Sequence, residues 1–114
     1  MIELTLTEEQ AKIVSKACEF YARIRMGQFG EIAWHCAEKH YTECPEEAQL
    51  AWLALRHFIY PDLQGPGHSY GIGKFEDADM AYDVHQVIRH TMGFGPVPFS
   101  YHELPKCQRL DDHG

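Results

Sequence analysis

Apolar residues recur at three- and four-residue spacing in the first quarter of the chain, the pattern of one buried helix face. Thr7 and Gln10 stand at the two positions of a capping box, which predicts that the helix begins there. Gly27 follows Met26 and suits a left-handed helix end. The residues predicted to be buried are Ala11, Val14, Ala17, Cys18, Tyr21 and Ile24.

Three further helices are predicted. A short one spans residues 32–40, and another follows Pro45 and is stopped by Pro61. The last is capped by Asp77 or Asp79 and ends before Gly93. In the helix after Pro45 the predicted buried residues are Ala48, Ala51, Trp52, Leu55, Phe58 and Ile59, and Trp34, Trp52 and Phe58 are interpreted as core.

The two ends of the chain suggest a small β element. Residues 2–6 alternate apolar and polar side chains, the pattern of a half-buried strand. Val97, Phe99 and Tyr101 alternate between prolines and permit an edge strand or an extended arm. The sequence therefore predicts an α+β fold, mainly helical, with about four helices and a β element formed by the N-terminal strand and the C-terminal arm. We expect a single domain over residues 1–114.

Charge and composition exclude several classes of protein. The formal net charge of -7 disfavours direct nucleic-acid binding, which depends on cationic side chains. The sequence contains no apolar run long enough for a membrane span and no signal-peptide pattern. The four cysteines are interpreted as reduced thiols, so we expect a cytosolic protein.

A candidate ligand-binding strip lies on the last predicted helix. Tyr82, His85 and Arg89 fall on one face at i, i+3 and i+7. An aromatic ring, an imidazole and a guanidinium could together stack on a planar ring and bind a carboxylate or phosphate. The alternative is a solvated face in which Arg89 pairs with a carboxylate.

The glycine-rich loop at residues 65–74 is a second candidate. Backbone amides before a helix can bind an anion, but the loop matches neither the phosphate-loop nor the dinucleotide-binding pattern. A non-standard anion site and a purely structural loop therefore both remain open. The candidate ligand contacts here are His68, Ser69, Tyr70 and Lys74, with Arg25 from the end of the first helix.

No catalytic residue, metal site or cofactor is predicted. His35, Cys36, His40 and Cys44 have zinc-ligand chemistry, but no second pair of ligands accompanies them. Residues 67–71 have Gly-x-Ser-x-Gly spacing, but no strongly apolar strand precedes them to form a nucleophile elbow, so a hydrolase is the weakest hypothesis. Its candidate histidines would be His68, His85 and His90.

Residues 4–10 and 23–29, together with 69–73 and 81–90, resemble a family of small uncharacterised proteins encoded by bacteriophages and prophages. Such proteins begin with a Leu-Thr-Glu-Glu-Gln-type helix and carry a Tyr-Asp-x-x-Gln-Val-Ile-Arg segment. The resemblance covers about half the chain in two blocks. It implies a phage accessory protein in the host cytoplasm and no settled activity.

Two functions fit these features. The first is sequestration, without catalysis, of a small anionic, nucleotide-like ligand as counter-defence. Its pocket would lie between the glycine-rich loop and the Tyr82, His85 and Arg89 strip of a homo-oligomer. The alternative is an acidic inhibitor that covers a basic surface on a host defence protein or nucleic-acid-binding protein.

Overall fold

The computed structural model describes residues 1–93 and contains four α-helices within them. These are α1 (Glu8–Arg25), α2 (Glu31–Ala37), α3 (Glu46–Ile59) and α4 (Glu76–Thr91), with a 3-10 turn at Tyr41–Glu43. The mainly helical fold is therefore confirmed. The predicted C-terminal arm lies outside the described residues.

The predicted N-terminal strand is not seen. Residues 2–6 adopt no regular structure, and the side chains of Ile2 and Leu4 are 94% and 74% exposed. A strand needs a neighbouring strand to pair its backbone N–H and C=O groups, and residues 1–93 contain no other strand. The small β element is thus not seen in this part of the chain.

Local signals set the ends of α1 as predicted. The Thr7 N–H donates to Gln10 Oε1 at 2.9 Å and the Gln10 N–H donates to Thr7 Oγ1 at 3.1 Å, which forms the capping box. Gly27 has a φ of +92°. The N–H of Gln28 donates to the carbonyl of Arg23, so the helix ends in a Schellman motif.

The start of α4 differs from the prediction. Neither Asp77 nor Asp79 caps the helix, because α4 already begins at Glu76. Asp77 lies in the first turn, where a carboxylate is favoured by the helix dipole, and its side chain contacts Tyr21 and Arg25 instead. The helix ends before Gly93, which has a φ of +88° as expected.

The chain divides into two compact units, Met1–Glu19 with Asp79–Gly114, and Phe20–Ala78. We call them the terminal unit and the central unit. The single domain predicted from the length stays a prediction. Buried side chains in the described part of the terminal unit are Ser15, Asp83, His85, Gln86 and Val87. Those in the central unit are Ala22, Met26, Phe29, Arg56, Leu63 and Ala78.

Helix α3 buries a different face from the one predicted. Leu55, Phe58 and Ile59 are 50%, 83% and 47% exposed, whereas Arg56 is buried. Trp52 is half-buried. In α1, Ala17 and Tyr21 were likewise predicted to be buried and are exposed. Both sides of these helices carry apolar residues, so periodicity alone does not decide which side faces inward.

Candidate functional site

The central unit contains a cavity of about 430 Å³ with aromatic walls, which we call the aromatic cavity. Both tryptophans of the chain, Trp34 and Trp52, line this cavity. Trp34 is 52% exposed, so the interpretation of this residue as core is wrong. The lining residues used below are Phe29, Gly30, Glu31, Trp34, His40, Tyr41, Trp52, Arg56, His68 and Ser69.

A glycine allows the aromatic walls to approach the start of α2. A Cβ added to Gly30 would lie 2.9 Å from the Cβ of Tyr41 and 3.8 Å from Cζ2 of Trp52. Any larger residue would therefore press against the 3-10 turn that carries Tyr41. In this way α2, the 3-10 turn and α3 each supply one aromatic side chain to the cavity.

Arg56 connects the aromatic cavity to the glycine-rich loop. Its Nη1 donates to the carbonyl of His68 at 2.9 Å, and its Nη2 donates to the carbonyl of Gly65. Because guanidinium is always charged, a buried arginine is stable only when acceptors surround it. The Nε of Arg56 is buried and has no hydrogen-bond partner among the described residues.

The loop also closes on itself. The Gln64 N–H donates to Nδ1 of His68 at 2.9 Å, which makes Nδ1 an acceptor and places the proton of a neutral His68 on Nε2. The Tyr70 N–H donates to the carbonyl of Met26 at 2.9 Å and anchors the end of the loop. His68 and Ser69 line the aromatic cavity, so two predicted contacts lie in it.

The charges on the cavity wall favour an anion over a cation. Within residues 1–93, Glu31 is the one acidic side chain in the lining, and it lies 3.4 Å from Nη1 of Arg23. Its charge is therefore partly compensated, while Arg56 contributes a fixed positive charge. His40 and His68 also line the cavity.

Three other predicted contacts belong to a separate aromatic cluster of the central unit. The Arg25 guanidinium donates to Asp77 at 3.1 Å and to the Tyr60 hydroxyl at 2.9 Å, and it lies 3.8 Å from the Phe75 ring centroid. Lys74 Nζ lies 5.2 Å from the ring centroid of Tyr70. Arg25, Tyr70 and Lys74 do not line the aromatic cavity.

Two carboxylates in this cluster accept hydrogen bonds from tyrosines. The bond from Tyr70 lowers the pKa of Asp62 and raises the pKa of Tyr70 to about 12. The bond from Tyr21, and then the one from Arg25, lowers the pKa of Asp77. These contacts join the segments on either side of the glycine-rich loop. Arg25 and Tyr70 therefore have structural partners that require no ligand.

The predicted strip on α4 lies in the terminal unit. Tyr82 and His85 have ring centroids 5.5 Å apart, but His85 is only 5% exposed. Arg89 Nη1 lies 3.5 Å from Oε1 of Gln86 and makes no ion pair within residues 1–93. The strip therefore does not present its imidazole to solvent. A pocket that joins it to the glycine-rich loop stays a prediction.

His85 contacts a serine and a carboxylate, the residue types of a hydrolytic triad. Its Nδ1 lies 2.7 Å from Ser15 Oγ and 3.0 Å from the Ser15 carbonyl, and its Nε2 lies 3.2 Å from Glu19 Oε2. A carbonyl oxygen can only accept, so the contact with the Ser15 carbonyl is a hydrogen bond only in the tautomer that carries the proton on Nδ1. In that tautomer Nδ1–H cannot take the proton of Ser15 and does not activate it as a nucleophile.

Sequence reasoning missed the central role of Arg56, which it named only among the other basic residues. A signal was present, since Arg56 follows Trp52 and Leu53 by four and three positions and so shares their helix face. The aliphatic stem of an arginine packs along apolar surface, so this spacing places the Arg56 stem beside Trp52.

None of the helices in residues 1–93 combines the length and the apolarity needed to cross a bilayer. No group of three or more His, Cys, Asp or Glu side chains in the described part of the chain is placed to hold a metal ion. Comparisons with known protein families, with curated proteins and with solved structures find no match to the chain.

Proposed function

We propose that the protein binds and sequesters a small anionic, nucleotide-like ligand in the aromatic cavity, without catalysis. The observation that carries this proposal is a cavity of about 430 Å³ that contains Trp34, Tyr41 and Trp52. Its volume lies in the range of about 300–1,000 Å³ typical of small-molecule sites. Exposed tryptophan surface at a concave site is typical of ligand binding.

The residue types match the parts of such a ligand. Aromatic side chains stack on a planar base, and each stacked base contributes about 1–3 kcal/mol. Arg56 supplies positive charge, and the Ser69 hydroxyl and the His68 imidazole can donate hydrogen bonds to a phosphate. We assign the base to the tryptophan side of the cavity and the anionic group to the loop side.

The biological setting rests on the sequence resemblance to phage proteins. A phage accessory protein that removes a nucleotide signal in the host cytoplasm would act as counter-defence by mass action. It would need no turnover, only a protein concentration above that of the signal and a dissociation constant below it. Sequestration without catalysis predicts that intact nucleotide is recovered after long incubation with the protein.

The test is calorimetric titration with three ligands: a purine nucleoside monophosphate, its nucleoside and ribose 5-phosphate. The nucleotide should bind most tightly, since only it satisfies both sides of the cavity. Trp34→Leu should weaken nucleotide binding about 5- to 150-fold, the equivalent of one lost stacking contact. Trp34 is half exposed, so this variant is expected to fold.

Phe58→Leu is the matched control, because it replaces an exposed aromatic residue of the central unit that does not line the cavity. It should leave the affinity unchanged. The proposal is wrong if no ligand binds, or if Phe58→Leu and Trp34→Leu weaken binding equally.

A second candidate function is inhibition of a host protein. It is favoured by the net charge of -7 and by the exposed side chains Leu50, Leu55 and Phe58 on α3. Binding by charge mimicry would weaken strongly with salt, whereas stacking in the aromatic cavity would not.

A further inference from the structure

We propose a second binding site in the terminal unit, for an anion that carries an unbranched apolar chain, such as a fatty-acid carboxylate or an alkyl phosphate. The site is a groove of about 430 Å³ with cationic and apolar sides, which we call the basic groove. It is lined by side chains from α1 and α4. It contains no residue of the aromatic cavity, so it does not depend on the function proposed there.

Three cationic side chains line the basic groove: Lys12, Lys16 and Arg89. Lys16 makes no ion pair or side-chain hydrogen bond within residues 1–93, and Arg89 has only the 3.5 Å contact with Gln86. Lys12 lies 3.7 Å from Glu8, but both side chains are more than half exposed. Such an exposed pair contributes little, so all three cations can receive an anion.

Within residues 1–93 the one acidic side chain of the basic groove is Glu19, whose Oε2 lies 3.2 Å from Nε2 of His85. Three cationic side chains against one acidic side chain in this groove contrast with the net charge of -7 for the whole chain. Charge complementarity therefore points to an anionic group, and an arginine can bind a carboxylate or phosphate through two parallel hydrogen bonds.

The remaining lining indicates what is attached to that anion. Ile13, Ile88 and Met92 line the basic groove, and Ile13 is 68% exposed. Among residues 1–93, no aromatic side chain lines it apart from the buried His85, so this part of the chain offers no platform for a planar base. Flexible methionine and branched aliphatic side chains instead pack well against methylene groups.

The experiment is calorimetric titration of the whole protein with decanoate, decanol and acetate. Decanoate should bind at least tenfold more tightly than either of the others, because only it uses both sides of the basic groove. Tryptophan emission should stay constant during the titration, since both tryptophans line the aromatic cavity. Equal affinity for decanol and decanoate would show that charge is not recognised and would overturn the proposal.

Variants test the assigned residues. Lys16→Gln combined with Arg89→Gln should reduce decanoate affinity at least tenfold, and Ile13→Asn should reduce it independently. Lys39→Gln removes an exposed lysine that does not line the basic groove and should have no effect. An equal loss of decanoate affinity in the double variant, in Ile13→Asn and in Lys39→Gln would contradict the assignment of the site.

Two further ligands distinguish a free amphiphile from a membrane lipid as the source of the anion. Decyl phosphate should bind in competition with decanoate if the groove takes free amphiphiles. If the protein instead sediments with vesicles of anionic phospholipid but binds neither soluble amphiphile, the groove recognises a membrane surface and the proposal is wrong.

Discussion

Gly27 is the position where the structure makes its sharpest quantitative prediction. Its φ is +92°, and a Cβ added there would lie 2.6 Å from Cδ1 of Leu63, which is only 4% exposed. A non-glycine residue with positive φ costs about 1–2 kcal/mol, offset by about 0.4–1 kcal/mol from a less flexible unfolded chain. Overpacking against Leu63 adds about 1–3 kcal/mol. Gly27→Ala should therefore destabilise the protein by about 3 kcal/mol.

Gly73 supplies the matched control. Its φ is +99°, but an added Cβ would meet no atom within 4 Å. Gly73→Ala should therefore cost only the backbone contribution, about 1 kcal/mol. In a Leu63→Ala background the side-chain overlap is removed, so Gly27→Ala should also cost about 1 kcal/mol there.

The assay is urea unfolding followed by circular dichroism, with the free energy of unfolding taken from the midpoint and slope. Equal costs for Gly27→Ala and Gly73→Ala would refute the contact with Leu63. An unchanged cost of Gly27→Ala in the Leu63→Ala background would do the same.

Two predictions concern titration. The lowered pKa of Asp77 stabilises the fold above the unfolded value of about 3.9, and this contribution is lost as pH falls through the folded pKa. Asp77→Asn should thus lower the melting temperature at pH 7 and have a smaller effect at pH 2, whereas a pH-independent effect would contradict the assignment. Tyr70 has a raised pKa of about 12, so its contribution is present below about 10 and lost as pH rises through 12. Asp62→Asn should move one tyrosine of the ultraviolet titration curve towards pH 10, and an unchanged curve would show that Asp62 does not set this pKa.

Features that depend on residues close together in the sequence were predictable. The capping box of Thr7 and Gln10 and the left-handed Gly27 and Gly93 follow from local backbone chemistry, and all three are present. The strand predicted at residues 2–6 is not seen, and alternation shows only that a strand is compatible with the sequence. A strand also needs a partner, which no local pattern can supply.

Burial of particular side chains could not be predicted in the same way. Helix α3 carries apolar residues on both sides, so its pattern gave no reason to bury Arg56 and expose Phe58. Of the predicted contacts, His68 and Ser69 line the aromatic cavity because the loop carbonyls bind Arg56, a contact across twelve residues. His85 is buried because it contacts Ser15, seventy residues away.

The most direct test of ligand binding in the aromatic cavity is a two-dimensional ¹H–¹⁵N NMR titration of the two tryptophan indole N–H groups. Both belong to residues that line the cavity. Addition of a purine nucleoside monophosphate should shift both indole signals along one saturable binding curve, with ribose 5-phosphate causing much smaller shifts. Indole signals that stay fixed up to millimolar nucleotide would contradict the account.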